Sequence, residues 1–122
     1  MFDKKDCKDY KDYKTTRAVV IESPRVVDVR EIKLTAPEKD AYVAKTIYSS
    51  ISSGTDMKTY FGEQHPEQCW YPLVPGYETM GYVVAKGPET DGRLNIGDRV
   101  MINECRKYGD VCAAWGGGSE FT

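Results

Sequence analysis

Two short stretches bring together residue types that can do chemistry. In Tyr71 to Lys86, YPLVPGYETMGYVVAK, Tyr77 and Glu78 follow directly on Gly76. Pro72 and Pro75 fix φ and remove backbone donors, which forbids a helix across the entry, and Gly76 permits a tight corner before the extended run Met80 to Ala85. A phenol and a carboxylate at the tip of such a bend can give and take protons at a bound molecule, or the carboxylate can anchor the turn. Upstream, Ser53-Gly54-Thr55-Asp56 sets two hydroxyls and a carboxylate within four residues at the end of an apolar run. Their bland reading is capping: Thr55 is a good N-cap for a short helix over 55–61, Asp56 suits its first turn, and Gly62 is a natural stop.

The remaining reactive side chains carry less. His65, the one histidine, precedes a proline in the polar loop 62–71 and reads as solvent-exposed. Trp70 and Tyr71 in that loop offer apolar area with a polar tip, fit either to line a pocket or to cover the core. The four cysteines, Cys7, Cys69, Cys105 and Cys112, show neither C-x2-C nor C-x4-C, so a structural zinc clasp is not expected and unbridged thiols are. Gly116-Gly117-Gly118 could cradle a phosphate with its amides, but no lysine or helix start follows, so a turn into a strand is expected.

Strands must position these motifs. Ala18-Val19-Val20-Ile21 is a β-branched run closed by Ser23-Pro24, and Val27 to Leu34 continues with alternating character until Ala36-Pro37, giving a hairpin or meander. The run Ala41 to Ile51 predicts the longest strand, with Tyr42, Ala44, Thr46 and Tyr48 on one face and Val43, Lys45 and Ile47 on the other; its end delivers Ser53 to Asp56. After Met80 to Ala85, a turn-rich loop over 87–95 leads to a strand over 99–103 and an irregular segment over 104–115. The first sixteen residues, with KDY twice over Lys8 to Tyr13, bury little apolar surface and read as a charged, solvated, flexible tail or as one partly ordered by packing of its tyrosines.

At 122 residues the chain holds one domain, burying about two thirds of its unfolded surface. With 17 basic and 19 acidic residues it offers no electrostatic case for nucleic acid or an anionic membrane. No apolar run nears the roughly 20 residues that span a bilayer, and the start lacks the apolar centre of a signal peptide, so a cytoplasmic protein is expected.

Pro72, Val74, Gly76, Glu78, Gly81 and Val83 match the P-x-V-x-G-H-E-x-x-G-x-V signature of the medium-chain dehydrogenase/reductase superfamily, the zinc alcohol dehydrogenases and their relatives, and the chain resembles that family. Gly97-Asp98-Arg99-Val100 matches its G-D-R-V, Ser53-Gly54-Thr55-Asp56 resembles its C-G-T-D, and Gly117 to Phe121 resembles its glycine-rich turn into a strand. The departures are specific: Ser53 stands where the zinc enzymes have cysteine, and Tyr77 where they have histidine. Neither is a usual zinc donor, so no catalytic zinc is expected. The I-S-x-G-T stretch with Y-P-L-V-P-G-Y-E is similar to the bacteriochlorophyllide dehydrogenase type.

The resemblance implies a mainly β fold, a GroES-like partly open β-barrel over 17–122 with one or two short helices. It also implies roles. Thr55 would donate a hydrogen bond to the substrate oxygen, Tyr77 would serve as donor or acid, and Glu78 would orient the loop. Ser53, Trp70 and Tyr71 would face the small-molecule substrate, and Gly54 and Thr55 the NAD or NADP. The Rossmann domain that holds this cofactor in the family has no counterpart here: there is no G-x-G-x-x-G and no βα alternation. Isolated, the chain is expected to be inactive. It reads as the substrate-side piece of a longer or two-chain oxidoreductase, as a stand-alone small-molecule-binding module, or as a β-barrel that forms homo-oligomers through exposed strand edges.

Overall fold

The computed structural model describes residues 2–105 and 108–122. Strands β1 (Thr15–Ser23) and β2 (Val26–Lys33) form an antiparallel hairpin. Its two-residue turn places Arg25 at φ 69°, beside the fixed φ of Pro24. From Thr15 to Val20 the period of two is kept: Thr16, Ala18 and Val20 are buried, while Arg17 and Val19 face out, and Ile21, at the register shift that follows, is buried as well.

Strand β3 (Tyr42–Ser49) pairs antiparallel with β5 (Thr79–Lys86), which pairs with β6 (Arg99–Ile102). The strict alternation expected along β3 fails. Its register to β5 shifts between Val43 and Ala44 and again between Thr46 and Tyr48, so Val43 and Ala44 are both buried. Such irregularities bend a strand, as curvature toward a barrel requires. Gly81 answers the second of these bends, where it pairs with Thr46: a Cβ there would lie 2.3 Å from the Lys45 carbonyl oxygen.

Two strands of only two residues lie in segments that read as loops. Strand β4 (Leu73–Val74) joins β1 through Ile21 opposite Leu73, and β7 (Cys112–Ala113) runs parallel to β4, completing the order β2-β1-β4-β7. The final segment joins this sheet to the order β3-β5-β6. The Val19 N–H donates to the Gly118 carbonyl at 2.7 Å and the Glu120 N–H to that of Arg17 at 2.8 Å, while Ala44 and Thr46 donate to Thr122 and Glu120 at 2.8 and 2.9 Å. The result is the mainly β, partly open barrel expected, with one α-helix among the described residues and 3-10 turns over Lys4–Asp6 and Tyr10–Asp12.

The opening segment, expected to be solvated through residue 16, is tied down by its tyrosines. Tyr13 is 3 % exposed and packs with Val43, Val84 and Ala85. Its ring lies 5.0 Å from that of Phe121, and its hydroxyl donates to the Asp6 carbonyl. Burial pushes its phenol up to about 12. Lys45 Nζ reaches Asp6 at 2.8 Å, and β1 already begins at Thr15.

Candidate functional site

Helix α1 (Thr55–Tyr60) opens with Gly54 at the N-cap, and no side chain caps it. The expectation of Thr55 as N-cap is therefore corrected: Thr55 is the first helical residue, and its N–H donates to Ser52 Oγ at 3.2 Å. Asp56 does not cap either. Its Oδ2 accepts the Ser52 N–H at 2.8 Å and its own N–H donates to the Ser52 carbonyl at 3.2 Å, so residues 52–56 close on themselves. Asp56 is 8 % exposed, and its Oδ1 is buried with no hydrogen-bond partner.

The helix is pinned at its far end. Arg25 N–H donates to the Tyr60 carbonyl at 2.8 Å, and Tyr60 Oη returns a bond to the Arg25 carbonyl at 3.2 Å. Tyr71 Oη donates to the Thr59 carbonyl at 2.6 Å, and burial, with Cys69 nearby, raises the Tyr71 phenol. This hydroxyl is committed to the scaffold, which places Tyr71 among core contacts with Leu73 and Cys69 rather than on an open surface. Trp70 stands half exposed, and His65 is exposed.

The proline-stiffened turn is set by backbone contact. Gly76 has φ 100°, and a Cβ on it would meet the Gly118 nitrogen at 3.1 Å. The amides of Gly116, Gly117 and Gly118 donate to the carbonyls of Val74, Gly76 and Pro75 at 3.2, 2.6 and 2.8 Å. All three are thus used by the turn itself, and the phosphate-cradle alternative is set aside in favour of a turn into the final segment.

The turn then docks onto the end of β3. Ser50 Oγ donates to Glu78 Oε2 at 2.7 Å, and the Ser50 N–H donates to the Glu78 carbonyl at 2.9 Å. Three residues separate Ser50 from Ser53, at most about 11 Å of chain. Tyr77, Glu78 and the 53–55 segment are therefore held on one end of the β3–β5 pair. Ser53, Gly54 and Glu78 are exposed, and Thr55 and Tyr77 are half-buried. The Tyr77 ring packs edge-on against Trp115, with centroids 6.0 Å apart at 66°. Trp115 has φ 74° and packs against the cluster around Ile21 and Leu73.

Ser50 and Trp115 are the participants that the sequence does not announce. Ser50 belongs to no motif, and Trp115 is marked only by its place before three glycines. A groove of about 770 Å³ lies elsewhere, lined among others by Leu34, Pro37, Val43, Leu94, Val100 and Ile102. None of Ser53, Thr55, Trp70, Tyr71, Tyr77 or Glu78 lines it.

The donor chemistry of the motif end does not fit a tetrahedral zinc. It offers a serine hydroxyl, a phenol and one carboxylate already bonded to Ser50, with neither thiolate nor imidazole. Among the described residues no three His, Cys, Asp or Glu side chains cluster as a metal would need. A Cβ at Gly54 would meet nothing within 4 Å, so the backbone there faces open space.

Comparison with known proteins agrees with this fold. The profile of the alcohol dehydrogenase GroES-like domain matches residues 39–121. A 2-desacetyl-2-hydroxyethyl bacteriochlorophyllide A dehydrogenase of Cereibacter sphaeroides is 40 % identical over 88 residues, covering 71 % of this chain and 27 % of its own length. A probable alcohol dehydrogenase of Mycobacterium tuberculosis is 34 % identical over 107 residues, covering 84 % of this chain and 27 % of its own. The thermostable alcohol dehydrogenase of Pyrobaculum aerophilum superposes with a TM-score of 0.68 at 19 % identity, covering 88 % of this chain and 38 % of that one, and so shares the fold. The chain spans about a quarter of the length of the curated relatives it matches.

Proposed function

Because the chain belongs to the alcohol dehydrogenase GroES-like domain family, we propose that it is the substrate-side domain of a zinc-independent NAD(P)-dependent medium-chain oxidoreductase. The nucleotide-binding part would come from further polypeptide or from a separate chain. One observation carries the reading: the Ser50–Glu78 bonds set the Gly76-Tyr77-Glu78 turn beside the segment that leads to Thr55. A hydroxyl, a phenol and a carboxylate on one strand end suit an alcohol or ketone oxygen, which must lose or gain a proton as hydride moves to or from its carbon. The bound nicotinamide supplies or accepts that hydride.

In this reading Thr55 Oγ1 donates to the substrate oxygen, and Tyr77 is the donor or acid. Trp115 holds the Tyr77 ring at its edge, and Glu78 fixes the turn rather than reacting. Ser53 lines the place a metal takes in the zinc enzymes, Trp70 borders the substrate side with Tyr71 anchoring its loop, and Gly54 leaves room for the cofactor. The test is NAD(P)H-linked turnover of an alcohol panel by the full-length oxidoreductase carrying this domain, with zinc measured by plasma mass spectrometry. Thr55→Val and Tyr77→Phe are expected to lower kcat by about 10²- to 10⁴-fold with unchanged circular dichroism and no stoichiometric zinc. Undiminished turnover in both variants would remove their roles, and one zinc per chain would remove the zinc-free reading.

A second reading, homo-oligomerisation through a strand edge, rests on β2. This edge strand exposes Val26, Val27 and Val29 at 50, 49 and 63 %, and apolar edges invite pairing. Light scattering should then show an assembly that Val29→Lys dissociates.

A further inference from the structure

We propose that Cys69 and Cys112 form a reversible intramolecular disulfide that latches the loop carrying Trp70 onto β7. Both residues are buried, at 5 and 6 % exposure, and belong to one apolar cluster with Ile21, Leu73 and Ala114. Cys112 Sγ lies 3.5 Å from the Gln68 carbonyl oxygen. That carbonyl is bonded directly to the Cys69 nitrogen, so the Cys112 sulfur lies within about 6 Å of the Cys69 Cα by standard backbone dimensions. A disulfide needs its two sulfurs about 2.05 Å apart, and closing this one asks for side-chain rotation within the apolar cluster that the two cysteines already share.

Both backbones are held for it. The Cys112 N–H donates to the Pro72 carbonyl at 2.9 Å and the Cys69 N–H to that of His65 at 3.0 Å. The other two thiols lie apart: Cys105 packs with the Ala18 and Val20 cluster, and Cys7 follows the first 3-10 turn. Burial, with Cys112 as a second contributor, raises the Cys69 thiol, so less of it is thiolate and its oxidation is slow until pH rises. Access comes through the loop, since residues 61–63 and 65–68 are exposed and 62–71 includes no strand. Such segments open locally at low cost.

The chemistry balances with a peroxide. One thiolate attacks the O–O bond, giving a sulfenic acid and, with one proton, water; the second thiol attacks that sulfur, forming the S–S bond and expelling a second water. Two electrons leave the thiols and reduce the peroxide, and an added dithiol returns them. Oxidation would thereby fix Trp70 and Tyr71 against β7.

The test treats the unsubstituted chain with hydrogen peroxide in native buffer, alkylates remaining thiols and maps peptides by mass spectrometry without reduction. The expected product is one crosslinked peptide pair containing Cys69 and Cys112, with two thiols lost per chain, faster as pH rises and restored by dithiothreitol. Cys69 and Cys112 both still alkylated after a cysteine peptide in the same tube is fully oxidised would overturn it. So would crosslinking through Cys7 or Cys105, or conversion of the pair to sulfonic acids alone.

Discussion

Asp56 and Glu78 are the carboxylates of the two site motifs, and they are spent differently. Asp56 is buried, holds the Ser52 N–H and leaves one oxygen without a partner. Removing the carboxylate with Asp56→Ala orphans the Ser52 N–H and opens the 52–56 loop, at a cost of about 1–3 kcal/mol, read as a lower urea midpoint. Glu78 and Ser50 are exposed, so Ser50→Ala should cost under about 1 kcal/mol while loosening the turn that carries Tyr77. In the full-length oxidoreductase that variant should lose turnover out of proportion to its small loss of stability. Equal losses in both would reduce Ser50 to a surface contact.

At the scale of elements, close backbone approach rather than side-chain pattern makes the turn. Gly117 is the tightest point: a Cβ there would lie 2.4 Å from Thr79 Oγ1 and 2.5 Å from the Gly76 carbonyl oxygen. Gly117→Ala must therefore push the final segment off the turn and is expected to cost about 2 kcal/mol or more, with hydrogen exchange rising first at Gly118 and Val19. Leu73 is fully buried in a strand of two residues between β1 and β7. Leu73→Ala should cost about 2–5 kcal/mol, measurable by thermal unfolding. Protection of β3, β5 and β6 should outlast that of β4 and β7.

For the whole molecule, the two sheets depend on segments near the two ends of the chain. Phe121 meets Tyr13, and Thr122 meets Ala44, so the opening segment and residues 118–122 cover the same part of the second sheet. Tyr13 makes this junction sensitive to alkali. Its folded pKa, about 12, lies above the ordinary 10.0, so the neutral phenol's contribution is complete below pH 10 and is lost as pH rises through the folded value. Thermal stability should fall between pH 10 and 12, and Tyr13→Phe should flatten that fall. An unchanged alkaline limb in the variant would assign the loss to other groups.

The sequence by itself determined what is local and what repeats with a period. The β1–β2 hairpin, the extent of β3 and β5, the helix ended by Gly62 and the proline-entered turn at Gly76 were all legible, because each follows from a β-branched run, a glycine stop or a fixed φ within a few residues. The family resemblance was legible for the same reason: its motifs are short and contiguous. Tertiary structure alone decided the two-residue strands β4 and β7, which are too short to show any period, and the bends that bury both Val43 and Ala44. It alone turned Tyr71 into a core anchor, recruited Ser50 and Trp115 to the motif end, and set Cys112 beside Cys69. Each of those depends on partners tens of residues away, where chain direction and close packing, not local sequence, choose the neighbour.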